Sequence, residues 1–208
     1  MAKMTQTTPY SARPERERAE EARCFREVLT GASVREMIYE AFGGIGMTAA
    51  LMQELFPGAY VVSAELDAEC VRQYRLGVDT SRASIHHGDT LGILSRVFER
   101  PDQFCMDAAS LDYNRCTLLD LQNPKSFQAN LIRRVADLGP TWIQYTDSSI
   151  GKLHLNWRSY GLACYDDRPS AWVAYNLNLN RWFKTNIGYK IVAQARHSAA
   201  SYYRLERV

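Results

Sequence analysis

The sequence predicts an α/β protein whose centre is a mostly parallel sheet of seven strands. From residue 33 onward, short strand-like runs alternate with helix-length stretches, and this alternation is typical of a parallel sheet covered by helices on both faces. Near the end of the chain, two strand-like stretches lie close together around His197 and Ser198, as the strands of an antiparallel hairpin do. A chain of 208 residues, 46% of them hydrophobic, can bury one sizeable core.

The individual elements follow from local composition and from the residues that interrupt it. A helix is predicted over 15–30, where Glu and Arg stand at helical neighbour spacing, and it ends before Gly31. We divide the chain into this N-terminal tail and helix, residues 1–32, and one domain, residues 33–208. In the domain the predicted strands are 34–42, 60–64, 84–87, 103–106, 141–145, 188–195 and 201–208, and the predicted helices are 47–55, 68–76, 91–99, 126–138 and 170–183.

The composition excludes several other classes of protein. A net charge of only +2, with 12 glycines and 7 prolines, excludes collagen-like, disordered and polybasic chains. No apolar run reaches the roughly 18 residues that cross a bilayer, and residues 1–10 lack the apolar centre of a signal peptide. The sequence therefore predicts a soluble, cytoplasmic protein without membrane contact. Five cysteines without a CxxC pair argue against a disulfide framework and a zinc site, so no metal is expected.

A glycine-rich turn and an acidic residue after it are the strongest functional signal. Glu40 and Phe42 lead into Gly44 and Gly46, where the first predicted strand meets the next helix. Glycines at such a turn let the backbone approach a ligand closely, and the helix presents free N–H groups. Glu65 stands 19 residues past Gly46, at the end of the second predicted strand, where an acidic residue can bind a ribose diol. The alternative is an ordinary turn and a solvated acid.

These motifs resemble those of the class I S-adenosylmethionine-dependent methyltransferases. The string of Glu40, Phe42, Gly44 and Gly46 is similar to their first motif, particularly in its DNA methyltransferase version, and residues 64–67 and 87–90 are similar to the second and third motifs. The resemblance implies a Rossmann-like fold with a seven-stranded sheet and a terminal hairpin, and it implies S-adenosyl-L-methionine as the cofactor. It favours this family over NAD enzymes, because nothing after the fifth predicted strand suggests a hydride-transfer acid.

The resemblance also implies a role for each motif residue. Glu40 would hold the amino group of the methionine part, and the backbone of residues 42–46, which include Phe42, Gly44 and Gly46, would line its carboxylate and sulfonium. Glu65 would bind the ribose, with Asp67 in reserve. Asp89, followed by Thr90 in the third motif, would contact the adenine. On this basis we expect Gly46→Val to block the cofactor sterically and to leave the fold largely intact.

The acceptor site is expected after the fourth predicted strand. Amino-group DNA methyltransferases carry D/N/S-P-P-Y/F there, in which polar groups accept hydrogen bonds from an exocyclic amine and the aromatic ring stacks on the flipped base. Asp107 matches the polar position, but alanines replace both prolines. A displaced version built from Asp112, Tyr113 and Asn114 could supply the same groups, so the candidate catalytic residues are Asp107, Asp112, Tyr113 and Asn114. Neither neighbouring cysteine stands in the Pro-Cys setting that cytosine-C5 chemistry requires.

The stretch after the fifth predicted strand allows two interpretations. Asp147, Lys152, His154 and Trp157 follow that strand, and groups past the carboxyl ends of parallel strands line the ligand crevice of open α/β sheets. They would then face the acceptor. The other interpretation is a polar loop in which Trp157 is a packing anchor.

The expected acceptor is a nucleic acid, with DNA favoured and RNA possible. The DNA methyltransferase-like first motif supports this, as does the charge of +6 on the residues after Ile150, against −4 before them. Aromatic residues near the expected crevice, Tyr113, Trp157 and Tyr160, support it too. The chain shows no obvious target-recognition domain, so a protein partner would supply that function. The alternatives are a catalytically inactive, methyltransferase-like binding module and a methyltransferase that acts on a small molecule or protein.

Overall fold

The fold is known from a computed structural model that describes residues 15–98, 106–112, 118–148, 169–197 and 200–208. The strands are β1 (Met37–Glu40), β2 (Tyr60–Glu65), β3 (Ala83–His87), β4 (Ala108–Leu111), β5 (Trp142–Ser148), β6 (Tyr189–His197) and β7 (Ala200–Arg207). The helices are α1 (Glu15–Leu29), α2 (Met47–Leu55), α3 (Ala68–Gly77), α4 (Thr90–Phe98), α5 (Leu118–Gln122), α6 (Phe127–Leu138) and α7 (Pro169–Ile187).

All seven strands form one sheet in the order β3-β2-β1-β4-β5-β7-β6. Strands β1 to β5 are parallel, and β7 is antiparallel to both β5 and β6. The predicted mostly parallel sheet with an antiparallel C-terminal hairpin is thereby confirmed. The strand order reverses direction at β1, whose neighbours are β2 and β4, and a crevice for ligands opens beyond the carboxyl ends of the strands at such a point.

The sheet is buried on both faces, because helices cover each of them. Ile38 of β1 belongs to the cluster under α1, α2 and α3, whereas the next residue, Tyr39, belongs to the cluster under α4 to α7. Successive strand residues point to opposite faces. Because both faces are buried, both sets of side chains in the middle of such a strand must be apolar. Helix α1 contributes the fully buried Cys24 and Val28 to the first cluster, which makes this helix part of the core.

The predicted position of the fourth strand was wrong. The prediction was 103–106, of which residues 103–105 lie outside the described residues and Met106 is not in a strand, whereas β4 spans Ala108–Leu111. The sequence pattern favoured the bulkier residues before it, since alanine and serine have low strand propensity. Ala108 and Ala109 are fully buried on opposite faces of the sheet, where small side chains let the covering helices approach a central strand.

Other differences from the prediction are smaller. Helix α5 was not predicted, and α7 continues to Ile187, past the predicted end at residue 183. The remaining predicted elements lie within a few residues of their observed bounds. In the part of the chain that the structure describes, no helix is long and apolar enough to cross a membrane.

Candidate cofactor and acceptor site

Each of the five parallel strands brings an acidic residue to the carboxyl edge of the sheet. Glu40 and Glu65 end β1 and β2, Asp89 and Asp112 follow β3 and β4, and Asp147 lies near the end of β5. Because carboxyl ends of parallel strands share one edge, these five residues lie at the same edge of the sheet, with Glu40 and Asp147 buried there. Such an arrangement favours a ligand that carries positive charge or hydrogen-bond donors.

The turn between β1 and α2 requires glycine at two positions. Gly44 and Gly46 have φ values of +49° and +91°, in the left-handed region that other residues adopt at a cost. A Cβ atom on Gly46 would lie 2.3 Å from Val78 Cγ2 and 3.1 Å from Tyr74 Cδ2. The obstruction is therefore against residues at and beyond the end of α3. The expectation that Gly46→Val would spare the fold does not agree with this packing.

Glu65 connects the turn that follows β1 with the turn that follows β2. Its Oε2 accepts a hydrogen bond from the Gly44 backbone N–H at 2.8 Å, and its Oε1 accepts one from the Asp67 N–H at 2.8 Å. Each carboxylate oxygen has two lone pairs, so both oxygens retain capacity for hydroxyl donors. Asp67, the reserve candidate, caps α3, since its Oδ1 accepts from the N–H groups of Glu69 and Cys70.

Glu40 is a fully buried carboxyl group at the end of β1. Ser63 Oγ donates a hydrogen bond to its Oε2, and Ser63 Oγ lies 2.8 Å from the Tyr74 hydroxyl. Within the described chain, Oε1 has no hydrogen-bond partner. Burial raises the pKa of Glu40 to about 8; Asp112 and Glu65 add to the rise, and the Ser63 hydrogen bond opposes it. A cationic group beside Oε1 would favour the ionised form.

Asp89, Thr90 and Phe42 differ in their burial and in their hydrogen bonds to the rest of the protein. Asp89 Oδ2 accepts a hydrogen bond from the Gly92 N–H at 2.9 Å. Thr90 is buried, and its hydroxyl is hydrogen-bonded to Tyr39. The Thr90 side chain therefore serves the interior. The half-buried ring of Phe42 packs 6.2 Å from Phe127, measured between ring centroids.

The structure separates the predicted catalytic residues. Asp107 was expected to follow the fourth strand, but it precedes β4 and lies at the opposite edge of the sheet, where its Oδ2 accepts from the N–H groups of Glu36 and Met37. This expectation was wrong because the strand had been placed too early. Asp112 directly follows β4 and is half-buried. Tyr113 and Asn114 lie outside the described residues, as do Lys152, His154, Trp157 and Tyr160 and the cysteines at 105 and 116.

Asp147 is buried at the carboxyl end of β5 beside a tyrosine that the sequence analysis missed. The hydroxyl of Tyr175, on α7, donates a hydrogen bond to Asp147 Oδ2 and accepts one from the Leu118 N–H at 2.9 Å. Burial raises the pKa of Tyr175 well above its ordinary value, and Asp147 raises it further. The helical spacing of the aromatic residues in α7 indicated packing, but no signal in the sequence paired Tyr175 with Asp147.

A pocket of about 210 Å³ opens between α1 and α2 beside Asp112. Its walls include Glu21, Phe25, Met47, Leu51, Glu54 and Asp112. The sequence predicted α1 as part of an N-terminal tail and helix and gave no sign that it lines a pocket. Among the residues that the structure describes, no three His, Cys, Asp or Glu side chains are arranged to hold a metal ion.

Comparison with solved structures identifies the fold as the Rossmann-like fold of methyltransferases. No protein-family model matches the sequence, and no curated protein matches it. Among solved structures, TYW2 of M. jannaschii in complex with AdoMet has a TM-score of 0.51 and 12% identity, covering 99% of this chain and 80% of that chain. A putative O-methyltransferase from Klebsiella pneumoniae has a TM-score of 0.55 and 11% identity, covering 96% and 83%. The fibrillarin/Nop5p complex has a TM-score of 0.55 and 9% identity, covering 90% and 82%.

Proposed function

We propose that this protein is an S-adenosylmethionine-dependent methyltransferase. The observation that carries the proposal is the connection of the two turns at the carboxyl ends of β1 and β2, where Glu65 accepts from the Gly44 and Asp67 N–H groups. The Rossmann-like fold is the fold of solved methyltransferases, and one of these was solved with AdoMet. The fold alone would not assign an activity, so the proposal depends on the residues at this edge.

The residues present fit the cofactor. Glu65, with lone pairs left on both oxygens, would accept the ribose hydroxyls, and Asp89 would accept from the adenine amino group. Glu40 would face the ammonium of the methionine part, because its Oε1 is buried and has no hydrogen-bond partner in the described chain. The backbone at Gly44 would approach the same part closely, since a Cβ atom there would point into open space, and Gly46 would hold the turn in the shape that allows this approach.

The acceptor side needs mainly to position a nucleophile. Bound S-adenosylmethionine supplies a methyl group on a positively charged sulfur, which is already a reactive electrophile, so orientation of the acceptor provides much of the rate. Asp112 would orient an acceptor amine by accepting a hydrogen bond from it, and would take the proton that the nitrogen loses. Its place directly after β4 supports this role.

The acceptor class that we propose is a nucleic acid, with DNA favoured. The DNA methyltransferase-like first motif and the positive charge after Ile150 support a nucleic acid. A putative RNA methyltransferase from Pyrococcus horikoshii is among the similar structures, with a TM-score of 0.52, and this keeps RNA as an alternative. Other similar structures are a mitomycin 7-O-methyltransferase and an N,N-8-amino-8-demethyl-D-riboflavin dimethyltransferase, and these keep a small molecule as a second alternative. A protein partner would then supply target recognition.

The proposal is tested with Glu65→Gln and a matched exposed control, Glu69→Gln. Glutamine keeps the size of the side chain, but its amide nitrogen is a donor and cannot accept a hydrogen bond, so one of the two backbone N–H groups loses its acceptor. We expect the affinity for S-adenosylhomocysteine, measured by calorimetry, to fall at least about tenfold in Glu65→Gln, as for a lost hydrogen bond to a charged group. Glu69→Gln should bind normally.

Transfer from S-adenosylmethionine with a labelled methyl group would then define the acceptor. Separate incubations with DNA, RNA and a protein and metabolite extract should label DNA, and Glu65→Gln should abolish the label. Labelling of RNA or of the extract alone would refute the preference for DNA. Binding of the cofactor without transfer to any acceptor would identify a binding module, and absence of cofactor binding by the unaltered protein would refute the proposed function.

A further inference from the structure

A surface groove runs between α7 and β6, the outermost strand of the sheet. Three apolar side chains along it are exposed to solvent, Val173 by 51%, Leu177 by 62% and Val192 by 38%. They are three of the eight large hydrophobic side chains that are exposed in the described part of the chain. Neighbouring exposed apolar side chains of this kind indicate a surface that binds another molecule.

The groove is too open to enclose a small molecule. Its volume is about 370 Å³, which lies in the range of roughly 300–1,000 Å³ for ligand pockets, but such pockets bury about 70–90% of the ligand surface. Here the walls are themselves more than half exposed at Val173 and Leu177. A small molecule would therefore keep much of its surface in water, whereas a macromolecule can cover the whole apolar row.

The outer edge of β6 is unsuited to pairing with an added strand. The Ile191 N–H donates a hydrogen bond to Asn180 Oδ1 of α7 at 2.8 Å, so this edge group already has an acceptor. Val192 is the extra residue of a β-bulge, because Ile191 and Ala193 pair with consecutive residues of β7. A bulge turns an edge strand away from further pairing. The groove is therefore suited to side chains, and a helix presents a row of these without using its own backbone groups.

The charge around the groove is positive. Residues 169–197, which include all of α7 and β6, contain four basic residues and no acidic one. Lys184 lies one turn past Asn180 on the same face of α7, and Lys190 directly precedes Ile191 of β6, so both lie toward the end where the helix leads into the strand. Both side chains are exposed, and among the described residues neither has a salt-bridge partner. An acidic partner complements this charge.

The apolar row distinguishes among the macromolecules that could bind here. Val173 and Leu177 are four residues apart on α7, so they form one row on its surface. A nucleic acid would pair its phosphates with the lysines, but it would leave this row uncovered. A second copy of this chain would bring like charges together. An amphipathic helix with acidic residues beside its apolar stripe satisfies both the row and the charge.

We propose that the groove between α7 and β6 binds an acidic amphipathic helix of a partner protein. The apolar face of that helix covers Val173, Leu177 and Val192, and its carboxylates lie beside Lys184 and Lys190. Because the exposed apolar residues belong to both walls, the partner contacts α7 and β6 together.

The groove also lies close to the carboxyl edge of the sheet. The turn of α7 that carries Val173 on its outer side carries Tyr175 on its inner side, where the Tyr175 hydroxyl donates to Asp147 near the end of β5. A helix seated on Val173 is therefore one helix diameter from the edge at which we place the acceptor. A partner bound there is positioned to contribute to the choice of acceptor, which is the task that the chain itself has no separate domain for.

The test uses three labelled peptides of about 18 residues, above the length at which isolated helices are marginal. The first has leucine at every third or fourth position and glutamate at most of the others. The second has lysine in place of each glutamate, and the third has the composition of the first with leucine at alternate positions, as in a strand. Fluorescence anisotropy with the full chain should show that the first peptide binds at least about tenfold more tightly than either of the others, and that salt weakens its binding.

Two variants introduce a negative charge into the apolar row. Val173→Asp and Leu177→Asp should each weaken binding of the first peptide at least about tenfold, as for residues at the centre of an interface. The matched control is Leu76→Asp on α3, at a position that is 77% exposed and lies outside the groove. All three positions are on the surface, so the fold should tolerate each change. Thermal melting confirms this.

A third variant tests the charge. Lys184→Glu should weaken binding of the first peptide several-fold and strengthen binding of the lysine peptide, and Arg75→Glu, at an exposed position of α3, should change neither. The affinity for S-adenosylhomocysteine should be the same in all of these proteins. This measurement keeps the docking proposal separate from the proposed function, since either can fail without the other.

Four results would overturn the proposal. The first is no binding of the acidic helical peptide, and the second is binding that Val173→Asp and Leu177→Asp leave unchanged. The third is tighter binding of a labelled single-stranded oligonucleotide that Leu177→Asp weakens, which would make the groove a nucleic acid surface. The fourth is self-association of the chain in sedimentation that Leu177→Asp abolishes, which would make it an interface between two copies.

Discussion

The two halves of the carboxyl edge hold their acidic residues by different means. At the ends of β1 and β2, Glu65 is fixed by backbone N–H groups of the adjoining turns, Gly44 and Asp67. At the end of β5, Asp147 is fixed by the side chain of Tyr175, which comes from α7, 28 residues later in the chain. The half at β1 and β2, where we propose the cofactor and which we call the cofactor half, is thus built from short turns whose shape is set locally. The half at β4 and β5, where we propose the acceptor and which we call the acceptor half, depends on packing between distant elements.

The largest effect on the free energy of unfolding is expected from Gly46→Val, which changes the backbone of the turn in the cofactor half. The left-handed φ at this position costs about 1–2 kcal/mol for a residue with a Cβ, and overpacking against Val78 and Tyr74 adds about 1–3 kcal/mol. The free energy of unfolding, from urea denaturation, should fall by about 2–5 kcal/mol. If the variant is as stable as the unaltered protein, the shape of this turn is not fixed by its glycine, and the proposed contrast between the two halves is wrong.

Tyr175→Phe changes a contact in the acceptor half and should not alter the structure of the cofactor half. The change removes the hydroxyl that donates to Asp147 and accepts from Leu118, so buried polar groups lose a partner. We expect a loss of about 1–3 kcal/mol in the free energy of unfolding, with unchanged affinity for S-adenosylhomocysteine in calorimetry. The control is Tyr60→Phe at an exposed position. A parallel loss of cofactor affinity would mean that the two halves are not independent.

Glu40 gives the cofactor half a dependence on pH. Because its pKa is raised from 4.5 to about 8, the folded protein binds a proton there that the unfolded chain releases. The contribution of Glu40 to stability is therefore full below about pH 4.5 and is lost as the pH rises toward 8. An ammonium beside Glu40 requires the ionised form, so affinity for S-adenosylhomocysteine should rise by up to about tenfold per pH unit between pH 6 and 8.

The control for this dependence is Glu40→Gln, whose affinity should be lower and nearly flat across the same range. Calorimetry at pH 7 in two buffers with different ionisation enthalpies would also show proton release on binding to the unaltered protein and none with the variant. The titratable neighbours Glu65, Asp112 and Tyr74 remain in both proteins. An unaltered protein with flat affinity would contradict the assignment of the ammonium to Glu40.

The smallest effect is expected from Arg26→Gln, which removes the ion pair between α1 and α2. The Arg26 and Glu54 side chains are 47% and 59% exposed, and exposed pairs of this kind contribute less than about 1 kcal/mol. Thermal melting at low and high salt should show a small difference that salt diminishes. A larger loss of stability would mean that the ion pair holds α1 in place. We expect instead that the burial of Cys24 and Val28 does so.

The glycine turn after β1 was predictable because its signals are local. Glu40, Gly44 and Gly46 lie within seven residues, and the two glycines adopt the left-handed backbone that such a turn requires. The roles of these residues toward a cofactor come from the family resemblance and are part of our proposal. The length of the chain and the alternation of its segments determined the α/β class, the number of strands and the terminal hairpin. These features depend on the periodicity and composition of short segments, and both can be read from each segment without knowing its contacts.

The acceptor half was decided only by tertiary structure. The alanines of β4 do not favour a strand by propensity, and they become one because helices pack closely on both faces. That strand position puts Asp107 before β4, at the opposite edge of the sheet, and Asp112 directly after it, at the carboxyl edge. Likewise, Tyr175 reaches Asp147 and α1 closes a pocket beside Asp112 through contacts between residues far apart in sequence, and a local pattern contains no record of such contacts.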